Sequence, residues 1–404
     1  MLLPDTLSVD PDASEVSEAE PVSPKGRTYR VAFLITIPVF MAYACCFSLQ
    51  RDLMRVFELS EGVADERSTV FGIGVSFVYF FNLIFRVVGH NVVFGFLGPR
   101  NRVIAALVSS IVGMGILSVL SFQKPSRDIS MGWVFVANGF VGVCEGSFGP
   151  NMLTIVNQLG ETRLYVVMAM PFGISLVTIG SFGLMALGVP YQFFYIFTAC
   201  MLGVAIVLYI FTIYRYSANQ TSNFDLRVFW GELKRIREWF PKIWVQSLIF
   251  VIDMFCLGLF NPGITLFMYE SRVTYRLFGF TVDRNWFVFV YNVGGFLGDF
   301  LARRVMDKRK ILNPVWFLVM LVIAVTINLC LVPEVSVVAS FFFMWANGSL
   351  YCQTTKKIGE EFVDEFHLTA TSVWLFIGDA GSTTGSNFIQ LLRPAVASLK
   401  KRMF

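Results

Sequence analysis

The chain has 404 residues, of which 55% are hydrophobic, 16% aromatic and only 15% charged, with a mean hydropathy of +0.65 and a net charge of +4. Soluble domains carry about 25% charged residues, so this composition excludes a soluble globular domain and specifies an integral membrane protein. The net charge is too small to point to nucleic acid, and the basic residues fall between apolar runs, where they report membrane orientation instead.

In chain order, residues 1–29 are acidic, contain Pro and Ser, and lack a basic stretch followed by an apolar core. They are expected to form a disordered cytoplasmic tail, not a signal peptide. A membrane span needs about 20 mostly apolar residues, and eleven such segments follow: 30–50, 69–97, 102–122, 131–156, 164–188, 191–214, 243–269, 286–305, 312–333, 335–355 and 368–394. The one long connection, 215–242, divides them into six (30–214) and five (243–397). Its FWGELKRIREWF stretch predicts a short amphipathic helix along the membrane surface. Residues 398–404 form a short basic tail. The expected fold is therefore all-α, a multi-pass bundle of eleven transmembrane helices.

Orientation follows from Lys and Arg. With the N-terminus in the cytoplasm, 19 of the 32 lie in inside segments and 12 in outside ones, Arg86 falling within a span. The positive-inside rule thus predicts a cytoplasmic N-terminus and, after eleven spans, an external C-terminus. The expected location is the plasma membrane.

Charged side chains are costly in a span, at least ~2.5–3.5 kcal/mol on insertion scales, and so face a bundle interior or a partner. The second span carries Asn82, Arg86 and His90 at i, i+4 and i+8, one face of a helix. The fourth carries Asn138 and Glu145, and Glu145 stands within GVCEGSFG with no basic residue four positions away. Asp253 lies in the seventh span, and Asn292, Asp299 and Arg303 in the eighth. Asn347 and Gln353 follow in the tenth and Asp379 in the eleventh. Together these imply a polar pathway inside an apolar shell, with Glu145, Arg86 and Asp253 as candidates for gating or coupling. Bland readings stand beside these: Asp299 and Arg303 can simply neutralise each other, and Arg86 and His90 can lie near an interface. NGFVGVCEGSFGP, MPFGISLVTIGSFG and GDAGSTTGSN supply the small residues that let helices approach closely. Pro150, Pro171 and Pro262 are possible kinks.

The seven cysteines all lie in apolar stretches without metal-ligand spacing, and there are only two histidines, His90 and His367. No phosphate-binding loop or Ser/His/Asp set exists. No enzymatic activity, metal or cofactor is expected. LGD at 297–299 lacks the Gly and the partner motifs of an intramembrane aspartyl protease.

Several of these motifs resemble the equilibrative nucleoside transporter family. Asp299-Phe-Leu-Ala-Arg303 is similar to the family's eighth-span DFLxR signature, and GLFNPGITLFM (258–268) to its seventh-span Phe-Pro segment. Glu145-Gly146-Ser147 lies where the family has Gln-Gly-Ser, and Ala346-Asn347-Gly348 resembles its Ser-Asn-Gly. FLGPRNRV is similar to its short basic turn. The resemblance implies a major-facilitator-like 6+5 bundle carrying nucleosides or nucleobases by alternating access. It places Asp299 and Arg303 on the ribose and Glu145 on the base or sugar; the polar span residues Asn292, Asn347 and Asp379 complete the expected substrate-binding set. The chain departs from the family in lacking Trp in VFMAYACCFSLQRDL, in having Gly295-Phe296 before the acid, and in Glu145 itself. A second register puts Asn292 on the family Asn, with Gly295 and Asp299 in the acid and arginine places. A carboxylate at 145 can exchange a proton in each cycle, so proton linkage is expected with the lipid bilayer and a small solute as partners. The alternatives are a major-facilitator-type carrier of amino acids or another metabolite, and a non-transporting scaffold or receptor.

Overall fold

The computed structural model describes residues 26–59, 66–157, 159, 162–216, 226–260, 274–277, 279–329, 332–362 and 365–403. In chain order the helices are α1 (Gly26–Ser48), α2 (Gln50–Val56), α3 (Glu66–Ile84), a π-turn (Phe85–Gly89), α4 (His90–Val92), α5 (Pro99–Ser121), α6 (Gly132–Asn157), α7 (Thr162–Thr178), α8 (Gly180–Ala186), α9 (Gln192–Phe211), α10 (Ile213–Tyr216), α11 (Leu226–Lys234) and α12 (Ile236–Leu259). A hairpin, β1 (Thr274–Leu277) and β2 (Phe280–Asp283), precedes α13 (Arg284–Asp307), α14 (Val315–Asn328), α15 (Pro333–Glu361) and α16 (His367–Met403). The hairpin pairs Leu277 with Phe280 across a two-residue turn, where Gly279 adopts φ 86.

Seven of the described helical segments are long and apolar enough to cross a membrane: Tyr29–Ser48, Glu66–Val92, Pro99–Ser121, Thr162–Met185, Gln192–Arg215, Ile236–Leu259 and Glu334–Glu361. The segments α6, α13 and α16 carry Glu145, Asp299 and Asp379 with many small or polar residues, and α14 is a shorter apolar helix. Several bounds differ from the sequence expectation. Helix begins at Gly26, inside the expected tail, while residues 1–25 lie outside the described residues. The segment expected at 243–269 is helical from Ile236 to Leu259, with Pro241 in its first turns. Its Asn261-Pro262-Gly263 stretch lies in 261–273, outside the described residues. A short helix, α11 at Leu226–Lys234, overlaps the FWGELKRIREWF stretch and ends before the aromatic pair Trp239-Phe240, which belongs to α12. The final helix runs through the expected basic tail to Met403.

Burial separates by chain order. One apolar core is built from residues between Val31 and Ile213, and two others from residues between Trp239 and Leu375. Glycine fixes the helix pairs within each group. A Cβ at Gly142 or Gly146 would strike the α3 carbonyls of Val78 and Asn82, and one at Gly173 the Ile37 carbonyl of α1. Gly298 meets the Phe341 carbonyl, and Gly258, Gly381 and Gly385 bring the backbones of α12 and α16 together in the same way. Lipid offers no hydrophobic drive for helix association, so this backbone-to-backbone contact supplies it through van der Waals packing.

Between the two groups the contacts change character. Helices α7 and α8 face α13 through Phe172 and Phe296 (6.0 Å between ring centroids) and through Asn292, whose Nδ2 donates to the Thr178 carbonyl at 3.3 Å. Toward the end where α7 starts and α13 finishes, Arg163 donates to Asp307 (2.9 Å) and to Thr355 (2.8 Å), and Thr154 faces His367 Nδ1 at 3.3 Å. These ties are long polar and aromatic side chains.

Candidate functional site

The polar residues picked out in the spans gather in two clusters. The first is built on Arg86. The π-turn Phe85–Gly89 carries Arg86 at the end of α3, and such turns are mostly single-turn insertions within α-helices, frequently at functional sites. His90 donates from Nδ1 to the Phe85 carbonyl at 2.5 Å, so its ring serves the turn and does not join the ion pairs. The Arg86 guanidinium donates from Nε to Asp379 Oδ2 of α16 at 2.6 Å and from Nη2 to Glu145 Oε1 of α6 at 3.2 Å. The side chains of Arg86, Glu145 and Asp379 are 6%, 5% and 16% exposed. Gly149 makes room for this, because a Cβ there would overlap Arg86 Nη1. The cluster thus joins the N-terminal and C-terminal groups of helices through two carboxylates on one guanidinium.

The second cluster lies wholly in the C-terminal group except for one bond. Arg303 donates from Nε to Asp299 Oδ1 (2.6 Å) and from Nη2 to Asp299 Oδ2 (3.1 Å), a bidentate pair one helical turn apart. Its Nη1 donates to the Val167 carbonyl of α7 at 2.9 Å. The carboxylate lies against Gly348 of α15, where any side chain would collide with Asp299 Oδ1. Beside it Asn347 Nδ2 donates to Asp253 Oδ2 of α12 at 2.6 Å and approaches Met254 Sδ at 3.4 Å.

Aromatic side chains connect the clusters. The Arg303 guanidinium lies 4.6 Å from the centre of the Tyr351 ring, a cation–π contact. Tyr351 is edge-on to Trp374 at 5.0 Å, and Trp374 stacks on Phe250 at 4.5 Å and 24°. Tyr351 also lies within electrostatic reach of Arg86, Glu145 and Asp379, as does Tyr43, which meets Tyr79 edge-on at 6.0 Å.

The buried polar atoms of this region that have no hydrogen-bond partner among the described residues include Glu145 Oε2, Asp253 Oδ1, Trp374 Nε1 and His90 Nε2. Buried polar groups are ordinarily satisfied, so these atoms keep hydrogen-bonding capacity for a solute or water. Among the described residues no group of three or more His, Cys, Asp or Glu is placed to hold a metal ion.

Of the residues named from sequence, Glu145, Arg86 and Asp379 come together, as do Asp299 and Arg303, with Asp253 and Asn347 adjoining them. Asn292 stands apart on the α7–α13 contact. Trp374, Tyr351, Phe250 and Tyr43 were not singled out, because an aromatic residue in a span looks the same in sequence whether it faces lipid or the interior. Arg163, Asp307 and Thr355 had no signal beyond a position near a span end.

No family model matches the chain, and no curated protein matches it. Among solved structures, the chain is similar to the crystal structure of a Major Facilitator Superfamily transporter, FucP, in the outward conformation. The TM-score is 0.54 at 14% identity, over 93% of this chain and 99% of that one. At that identity the likeness defines the fold: a helical membrane bundle of the major-facilitator type.

Proposed function

We propose that this chain is a multi-pass carrier of a small solute, working by alternating access, with its substrate site at the Arg86 cluster and the aromatic group beside it. All eleven helical segments expected from sequence span the membrane in this reading, six before the 215–242 connection and five after it. The observation that carries the proposal is the Arg86 triad, buried in a major-facilitator-type bundle and shared between its two groups of helices. Ion pairs at that place can be remade as the groups rock about a site near the midplane. With the N-terminus in the cytoplasm, the Arg163 ties lie at the cytoplasmic end, which supports a conformer closed on that side.

Nucleosides or nucleobases are the cargo we favour. Beside the motif resemblance, Glu145 Oε2 offers an acceptor for a hydroxyl or amino group and Trp374 Nε1 a donor, next to rings on which a base can stack. One observation favours a different metabolite. Asp299 and Arg303 are turned on each other and on Val167, so that both carboxylate oxygens and three of the five guanidinium N–H groups are already taken where a ribose clamp would need them. Glu145, holding one oxygen unpaired, is the group we assign to proton linkage.

Uptake into proteoliposomes and ligand-dependent thermal stabilisation, measured across nucleosides, nucleobases and amino acids, tests the reading. Stabilisation and competed uptake by a nucleoside or nucleobase are expected, with a pH dependence that Glu145→Gln abolishes. A response confined to amino acids overturns the cargo, and unchanged pH dependence removes the role of Glu145.

A further inference from the structure

The four buried acids share two guanidiniums, and the shares are unequal. Arg86 holds Glu145 and Asp379, and Arg303 holds Asp299 alone. Asp253, only 2% exposed, has no cationic partner among the described residues. Its Oδ2 accepts from Asn347 and its Oδ1 has no partner. Beyond that one amide donor, no group among the described residues faces the carboxyl to offset a negative charge. From α13 the group that faces it is Asp299, itself an acid, whose guanidinium neighbour Arg303 donates to Asp299 and to the Val167 carbonyl. From α15 come Asn347 and, one turn on, the ring of Tyr351. Helix α14 brings only apolar residues apart from Thr326 and Asn328, and α16 meets this stretch of α12 through Gly378 and Gly381. On α12 itself the neighbours are Met254 and Cys256. An ionised carboxylate so placed costs several kcal/mol or more, and a group in that position neutralises instead.

We infer that Asp253 is a proton-binding site. It carries its proton on Oδ1 in this conformation, and it is separate from Glu145, so each group of helices has one carboxyl able to take up and release a proton. The assignment stands on the placement of Asp253 and does not depend on which solute is carried. A neutral carboxyl keeps the Asn347 bond to Oδ2 and leaves one hydroxyl to a transient acceptor, a far smaller penalty than a bare charge. It also gives the bidentate Asp299–Arg303 pair a neighbour that does not repel it.

Infrared spectroscopy of purified protein in lipid nanodiscs at neutral pH tests this without any cargo. A protonated carboxyl has its own carbonyl-stretch band, which shifts in D2O. The band is expected in Glu145→Gln and is expected to vanish when Asp253→Asn is added, a change that keeps the shape and the bond with Asn347. Asn347→Ser is the second variant: it removes the amide donor and should move the band without abolishing it. No band in Glu145→Gln, or the same band in the double variant, overturns the proposal. A rise in melting temperature with sodium that Asp253→Asn abolishes also overturns it, because the site then holds a metal cation.

Discussion

Replacing Arg86 with Met removes the one cation from a site holding two carboxylates. The side chain is 6% exposed and its two partners 5% and 16%, so water screens the loss poorly. Removing one partner of a buried ion pair costs ~3–5 kcal/mol, because the group left behind is charged and desolvated. With an unfolding entropy of ~2.1 cal/mol/K per residue, 404 residues give roughly 0.85 kcal/mol/K, and the expected fall in melting temperature is about 4–6 °C. Thermal unfolding of the detergent-solubilised protein, followed by intrinsic fluorescence, measures it. The triple variant Arg86→Met, Glu145→Gln, Asp379→Asn leaves no unpaired charge. Neutral replacement of buried ion pairs is often close to harmless, so the triple variant should recover most of the loss while remaining without uptake. If Arg86→Met melts with the parent protein, or the triple variant melts below the single, the guanidinium is not buried between those carboxylates and the reasoning fails.

Gly142→Val drives a side chain into the Val78 carbonyl of α3, and overpacking of that kind costs ~1–3 kcal/mol. Melting should fall accordingly, while Gly115→Val, with open space around it, should leave the protein unchanged. Equal melting of the two variants refutes the close α3–α6 contact. Arg163→Ala removes the bonds to Asp307 and Thr355, and a loss of one to two kcal/mol corresponds to a factor of roughly 5–30 in an opening equilibrium. Maleimide labelling of buried Cys352, located by mass spectrometry, should accelerate by that factor, and an unchanged rate shows that Arg163 does not hold this end closed.

How far the sequence could be read depended on how local each signal was. Helix underlies most of every apolar run because a span must satisfy its own backbone. Ends were another matter. The helix expected at 243–269 already begins at Ile236, because the mixed-polarity stretch IREWFPK that hydropathy leaves outside the span is helical too. The pairing of Asp299 with Arg303 was visible because i and i+4 are neighbours on one helix. Glu145 was noticed for having no such neighbour, yet its partner, Arg86, is 59 positions away on another helix. The even spacing of Asn82, Arg86 and His90 suggested one continuous face. The π-turn interrupts that face and turns His90 back onto the Phe85 carbonyl. Asp379 shows the same limit, since spacing along α16 says nothing of a guanidinium on α3. The cargo depends on still finer geometry, which short motifs such as DFLAR leave open.

The distribution of glycine has a mechanical consequence. Where a glycine lies against a carbonyl there is no side chain to give way, so α3 on α6, α12 on α16 and α13 on α15 are tightly seated pairs. Arg163, Arg86 and Phe172 reach across the remaining gap on flexible stems that can swing and regrip. A chemical crosslink laid across that gap, between α7 and α13, is therefore expected to restrain the protein far more than one laid within a glycine-seated pair.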